Sequence, residues 1–157
     1  MKYLLAVLLL ALGIRCAAQN KSNYLTLSTN AILSFYLNSP QDLEQTQTIY
    51  NALTMSIKTR SRNAMLSARL SFANAPAGVN VNDLIGLQFV SSNSNNYSLS
   101  TPNPIYLNSV DQTLFYQPKH TNNQFKNFNY NLLLKPLGFD VAPGNYNFTL
   151  LFTMSQP

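Results

Sequence analysis

Ala142-Pro143-Gly144-Asn145-Tyr146-Asn147-Phe148-Thr149-Leu150-Leu151-Phe152-Thr153-Met154-Ser155-Gln156-Pro157 closes the chain and carries its clearest strand pattern. Its Pro-Gly pair marks a turn. Beyond the turn, Tyr146, Phe148, Leu150, Phe152 and Met154 take every second position, and the residues between them are polar except Leu151. Successive side chains of a strand point to opposite faces, so this segment has one apolar face and one mostly wet face. Such a strand requires a sheet to pair with and a second layer to pack on.

The same alternation recurs upstream. Tyr24, Leu25 and Leu27 begin one strand; Leu33, Phe35 and Leu37 make another, broken by Asn38-Ser39-Pro40. Gln41 to Thr48 is polar and leaves room for a single helical turn. Ile49, Leu53, Met55 and Ile57 then alternate with polar residues, Arg60-Ser61-Arg62-Asn63 reads as a turn, and Ala64, Leu66, Ala68, Leu70 and Phe72 resume. These two segments are expected to form a local hairpin. Asn74 to Asp83 is a loop with Pro76 and Gly78, and Ile85, Leu87 and Phe89 mark a short strand. Ser91 to Pro104 reads as a loop or frayed edge. Ile105 to Leu107 and Thr113 to Tyr116 are short strands, followed by a turn region from Gln117 to Gln124. Phe128, Tyr130, Leu132 and Leu134 stand opposite Asn127, Asn129 and Asn131. Residues 125–135 and 145–155 are expected to pair antiparallel. With no long amphipathic helix between these strands, the fold class is all-β: an immunoglobulin-like antiparallel β-sandwich of seven to nine strands.

Residues 1–18 read as a signal peptide. Lys2 supplies a short positive region, Leu4 to Ile14 an apolar run too short to span a membrane, and Cys16-Ala17-Ala18 the small residues of a cleavage site. Lipidation would fall on Cys16, but Gly13-Ile14-Arg15 does not form a lipobox. Residues 19–157 are then one domain, large enough to bury a core without a covalent staple. That matters because Cys16 is the sole cysteine and leaves with the leader, so the mature chain has no disulfide. Removal of Lys2 and Arg15 leaves eight Lys/Arg against five Asp/Glu, a net charge of about +3. The positives are few and dispersed, which argues against a nucleic-acid partner. Charged residues are only 10% of the chain, so amides and hydroxyls carry its surface polarity, as suits an extracellular β-protein.

Catalysis needs convergent titratable groups, and the inventory here is thin. Asp42 and Glu44 are two apart in a polar loop and read as solvated rather than as an acid–base pair. His120, the single histidine, reads as a surface turn residue. No cofactor or metal is expected: zinc lacks its Cys/His set, no loop has the carboxylate rhythm of a calcium site, and no glycine-rich phosphate loop or nucleophile elbow occurs. Two stretches merit attention as binding surfaces. Lys58, Arg60, Arg62 and Arg69 gather around the expected hairpin; they would contact an anionic envelope polymer, or serve as a solubilising tip that guards a sheet edge. Tyr97 and Tyr106 lie among Ser and Asn in residues 91–106, the composition of an adaptable recognition loop or of a plain surface loop. The triplets beginning at Asn20, Asn96 and Asn147 match the glycosylation pattern.

The closing strand also carries a resemblance. Pro143-Gly144-Asn145-Tyr146, then Phe152-Thr153-Met154 and Pro157, resembles the C-terminal strand of bacterial WxL domains, with Ala64-Met65-Leu66-Ser67-Ala68 near the place of that family's first motif; both of its tryptophans are absent here. The same strand resembles secreted fimbrial subunits of the spore-coat-U type, which usually carry cysteines. Either resemblance implies an extracytoplasmic immunoglobulin-like sandwich without catalysis. The expectation is therefore a non-enzymatic protein, secreted, periplasmic or at the cell surface, that binds cell-envelope polymer or other surface proteins. The alternative is a pilin-like subunit that self-associates by strand donation, with Gln19 to Leu27 as donor.

Overall fold

A computed structural model describes residues 23–157 apart from 61, 76, 78, 121–123, 140, 142 and 143. The expected signal peptide, Cys16, the Asn20 triplet, Pro76, Gly78 and the Pro143 of the last turn lie outside the described residues. In chain order the elements are β1 (Tyr24–Thr29), α1 (Pro40–Glu44), β2 (Gln47–Lys58), β3 (Ala64–Asn74), β4 (Ile85–Ser92), β5 (Ser98–Leu99), β6 (Ile105–Tyr106), β7 (Gln112–Gln117), β8 (Lys126–Leu134) and β9 (Asn147–Ser155). They form an antiparallel β-sandwich: a five-stranded sheet ordered β1-β2-β8-β4-β6 faces a four-stranded sheet ordered β5-β7-β3-β9.

The alternation read from the sequence orients every long strand. Met55 and Ile57 on β2, Phe128, Tyr130 and Leu132 on β8, and Ile85 and Leu87 on β4 point inward from the first sheet. Leu66, Ala68 and Leu70 on β3 and Phe115 on β7 meet them from the second. The sheets are joined by aromatic contact: Phe115 stacks on Phe128 with centroids 3.9 Å apart, and Tyr97 meets the same Phe128 edge-on at 5.4 Å. On β9, Phe148, Leu150, Phe152 and Met154 take the inward side as expected, opposite Phe72, Leu70, Ala68 and Leu66 of β3. They are only partly buried.

Both expected strand pairings are corrected. β2 and β3 do not form a hairpin; they lie in opposite sheets, so the chain changes sheet between Lys58 and Ala64. Alternation identifies a strand's apolar face but not its lateral neighbour, and here the two apolar faces meet across the core instead of lying side by side. The crossing is held by side-chain bonds: Arg60 N–H donates to Asn23 Oδ1 (2.8 Å), and Asn23 Nδ2 to the Arg62 carbonyl (3.0 Å). Nor does β8 pair with β9. β8 is the centre of the first sheet, between β2 and β4, and β9 is an edge of the second. The chain changes sheet between Leu134 and Asn147.

Three local features bear on the sequence expectations, the first in agreement and the other two in contrast. The single helical turn in the polar stretch is α1, where Ser39 and Asp42 form a capping box. The Ser39 hydroxyl, then the N–H groups of Ser39 and Asn38, hold the Asp42 carboxyl below the usual aspartate value. Of the expected donor Gln19 to Leu27, residues 19–22 lie outside the described residues and Tyr24 to Leu27 is engaged at home: β1 pairs antiparallel with β2 from Tyr24↔Lys58 to Thr29↔Leu53. Leu33 to Leu37, expected as a strand, alternate between half-buried and exposed as a strand does, a pattern that extends back to residue 31, yet they belong to neither sheet.

Candidate functional site

An apolar groove of about 1150 Å³ opens between the sheets beside β9. One wall is residues 33–38, the other β9 from Phe148 to Phe152, and Leu53, Phe72, Ile85 and Leu134 lie at its floor. No charged side chain lines it among the described residues. Five residues of β9 span about 15 Å at the rise of a strand.

Both walls are backbone edges. β9 pairs with β3 on one side only, and its other edge faces the groove. Across from it, Ile32 to Leu37 make no backbone hydrogen bond to any described residue; the next N–H groups along, of Asn38 and Ser39, go to the Asp42 carboxylate at 3.0 and 2.9 Å. Leu33, Phe35 and Leu37 turn toward the groove while Ile32 and Tyr36 are 80% and 72% exposed. An extended segment with this pattern has the side-chain environment of a strand and lacks the neighbour.

The structure distributes the candidates read from the sequence over different surfaces. Lys58, Arg60 and Arg62 stay together at the end of β2 and in the crossing to β3. Arg69 lies five residues along β3 from its first residue Ala64, about 17 Å by strand rise, and its Nε is 3.8 Å from Asp111. The expected cluster of four is therefore three, because the strands that carry it diverge into different sheets. The sequence missed Lys119, His120 and Lys126, which the fold brings to the same end. Lys119 N–H donates to Asn63 Oδ1 (3.0 Å), His120 N–H to the Thr59 carbonyl (2.8 Å), and Lys126 pairs with Ile57. Their only sequence signal was position beside strand ends.

Tyr97 and Tyr106 do not share a recognition loop. Tyr97 packs inward on Phe128 and Phe89, the latter at 5.7 Å. Tyr106 lies on the outer face of the first sheet against Gly86, where a Cβ would come within 2.9 Å of its ring, and the Lys135 ammonium sits 4.0 Å from its centroid. Asn96 is exposed, with its carbonyl bound by Gln117, and Asn147 is an exposed first residue of β9.

For chemistry the described residues offer no gathering of three or more His, Cys, Asp or Glu able to hold a metal ion. Asp42 caps α1, Asp111 faces Arg69, and neither lies near His120 in the topology. No helix among the described residues is long and apolar enough to cross a membrane. Comparison with protein-family models, with curated proteins and with solved structures returned no match.

Proposed function

We propose that this chain is a non-catalytic, exported β-sandwich that works by contact, receiving an extended strand of another polypeptide in the groove beside β9. One observation carries the reading: the groove is apolar at its floor and bounded on both sides by backbone edges whose N–H and C=O groups have no partner among the described residues. A lipid or other apolar ligand would fill the floor and leave those edges unbonded. A strand satisfies both, because its backbone pairs laterally while alternate side chains enter the core. The guest is then apolar at every second position and uncharged where it meets the floor, since a charge buried there would have no counterion. Because Tyr24–Thr29 already pairs with β2, the guest is a strand of a partner surface protein rather than this chain's own first strand.

The test is amide hydrogen exchange of the mature protein with a synthetic peptide of alternating Val and Thr, and separately with palmitate. The peptide is expected to slow exchange at both Ile32–Leu37 and Phe148–Phe152 and to raise the melting temperature. Stabilisation by palmitate without protection of those amides, or no protection by the peptide, would overturn the proposal.

A further inference from the structure

The outer face of the five-stranded sheet carries a second arrangement, independent of the groove. Tyr24 stands directly opposite Lys58 in the β1–β2 register, and the Lys58 ammonium lies 5.2 Å from the centroid of the Phe125 ring, just ahead of β8. Three adjacent strands thus contribute an aromatic–cation–aromatic row. Both rings are open to solvent, Tyr24 at 48% and Phe125 at 44%. They sit two strands apart, about 10 Å, the reach of two linked sugar rings.

Beside this row the same face continues as rows of hydroxyls and amides. Ser56 Oγ donates to Asn127 Oδ1 (2.9 Å), Thr54 Oγ1 to Asn129 Oδ1 (2.8 Å), and Asn129 Nδ2 to Ser91 Oγ (3.0 Å). These bonds fix the side chains and still leave capacity for a ligand. The Asn127 backbone N–H donates to Asn93 Oδ1 (2.8 Å), while its side-chain Nδ2 makes no hydrogen bond to a described residue and keeps its donors for a ligand.

Charge adds direction. Arg60, Arg62, Lys119 and Lys126 share this end of the sandwich with Lys58. No carboxylate among the described residues lies there: Asp42 and Glu44 are on α1 and Asp83 precedes β4 at the opposite end, while Asp111 faces Arg69 on the other sheet. We infer that this face binds a linear acidic polysaccharide, with Tyr24 and Phe125 as stacking platforms, Lys58 as the partner of an acidic substituent, and the Asn and Ser rows as partners of its hydroxyls. A membrane would instead need a contiguous apolar wedge, which hydroxyl and amide rows do not provide.

The experiment measures binding of the mature protein to polygalacturonate, to neutral dextran and to phosphatidylglycerol vesicles across salt concentrations. Lys58→Gln and Phe125→Ala are each expected to weaken polygalacturonate binding about tenfold. Phe125→Tyr, which keeps a ring, should bind as the parent does. Only Lys58→Gln should flatten the salt dependence, since it alone removes a charge from the row. Arg69→Gln changes net charge equally but lies on the other sheet, and should change binding less than twofold. Equal losses for Arg69→Gln and Lys58→Gln would reduce the effect to net charge and overturn the inference. So would a Phe125→Ala variant that binds normally, or vesicle binding with these sensitivities and none to polygalacturonate.

Discussion

Tyr130→Phe is expected to make the protein more stable, against the usual trend for core substitutions. Tyr130 sits on β8 in the centre of the five-stranded sheet, 2% exposed, with Phe89 edge-on to its ring at 5.7 Å. Its hydroxyl is buried and has no hydrogen-bond partner among the described residues. A buried polar group left unpaired costs about 1–3 kcal/mol, whereas losing one oxygen's dispersion contacts costs a few tenths. Phenylalanine keeps the ring and removes the orphan, so the net gain is about 1–2 kcal/mol, or roughly 3–8 °C in melting temperature for a domain of this size. The pH profile gives an independent reading. Burial first, then the neighbouring Tyr97, raises the phenol's pKa well above its ordinary value. The folded state therefore holds this proton more tightly than the unfolded chain, so the contribution is complete below the unfolded value of about 10 and disappears as pH rises toward the folded one. Urea unfolding at pH 7 and above pH 10 checks both, with the denaturant slope unchanged. The parent should lose stability in alkali more steeply than Tyr130→Phe. A variant destabilised by 1 kcal/mol or more, with the same alkaline limb as the parent, would refute the reasoning and place a partner on that hydroxyl.

Gln117 is fully buried; it accepts from Ser94 Oγ (2.9 Å) and donates to the carbonyls of Asn96 (2.9 Å) and Pro118 (3.2 Å). Gln117→Ala removes these three buried bonds, while Thr59 Oγ1 still donates to the Pro118 carbonyl (3.0 Å) and Ser94 Oγ to the Asn96 carbonyl (3.4 Å), and should cost about 2 kcal/mol in urea unfolding. Asp42→Ala should fray α1, seen as faster amide exchange at Asn38 and Ser39, whose N–H groups the carboxylate accepts. Because the Asp42 pKa is depressed in the folded state, its contribution is present above the ordinary aspartate value and lost as pH falls through the depressed one, so the parent should match the variant only in strong acid. In the groove, Leu150→Asp should abolish peptide-induced protection of the two edges, and Leu151→Asp, on the outward face of the same strand, should leave it intact.

Strand identity was legible because a half-buried strand repeats every two residues, and β2, β3, β4, β8 and β9 all carry that repeat. Strand partnership was not. Ile57 and Leu66 carry the same signal whether they lie side by side or face each other across a core, and only the second is true here. The same limit applied to the sites. Lys58 stood out by its charge, but Tyr24 and Phe125 lie at distant points of the chain and become its neighbours only through the registers of β1, β2 and β8. Tyr97 looked like a recognition residue from its polar neighbours, and the fold instead uses it to close the core over Phe128. Asn127, Asn129 and Asn131 were read as a wet face, but not as rows locked to Ser56, Thr54 and Gln88.

The one strand that the sequence predicts and the sheets do not include points to the groove more directly than its volume does. Alternation over 31–37 is the mark of a segment with one face on a core and lateral neighbours to hold it extended. The core face is present, in Leu33, Phe35 and Leu37, while the neighbour is missing. β9 has the complementary shortage: nine residues with no Lys, Arg or Pro among them, the devices by which natural edges are kept from pairing. An unguarded edge and an unpaired strand, set on either side of an uncharged apolar floor, are each a liability in isolation, since both invite association. They cease to be liabilities if one further strand lies between them. On the proposed reading the isolated chain is the incomplete form, and the sequence of 31–37 is shaped for a sheet that exists only when the partner's strand is in place.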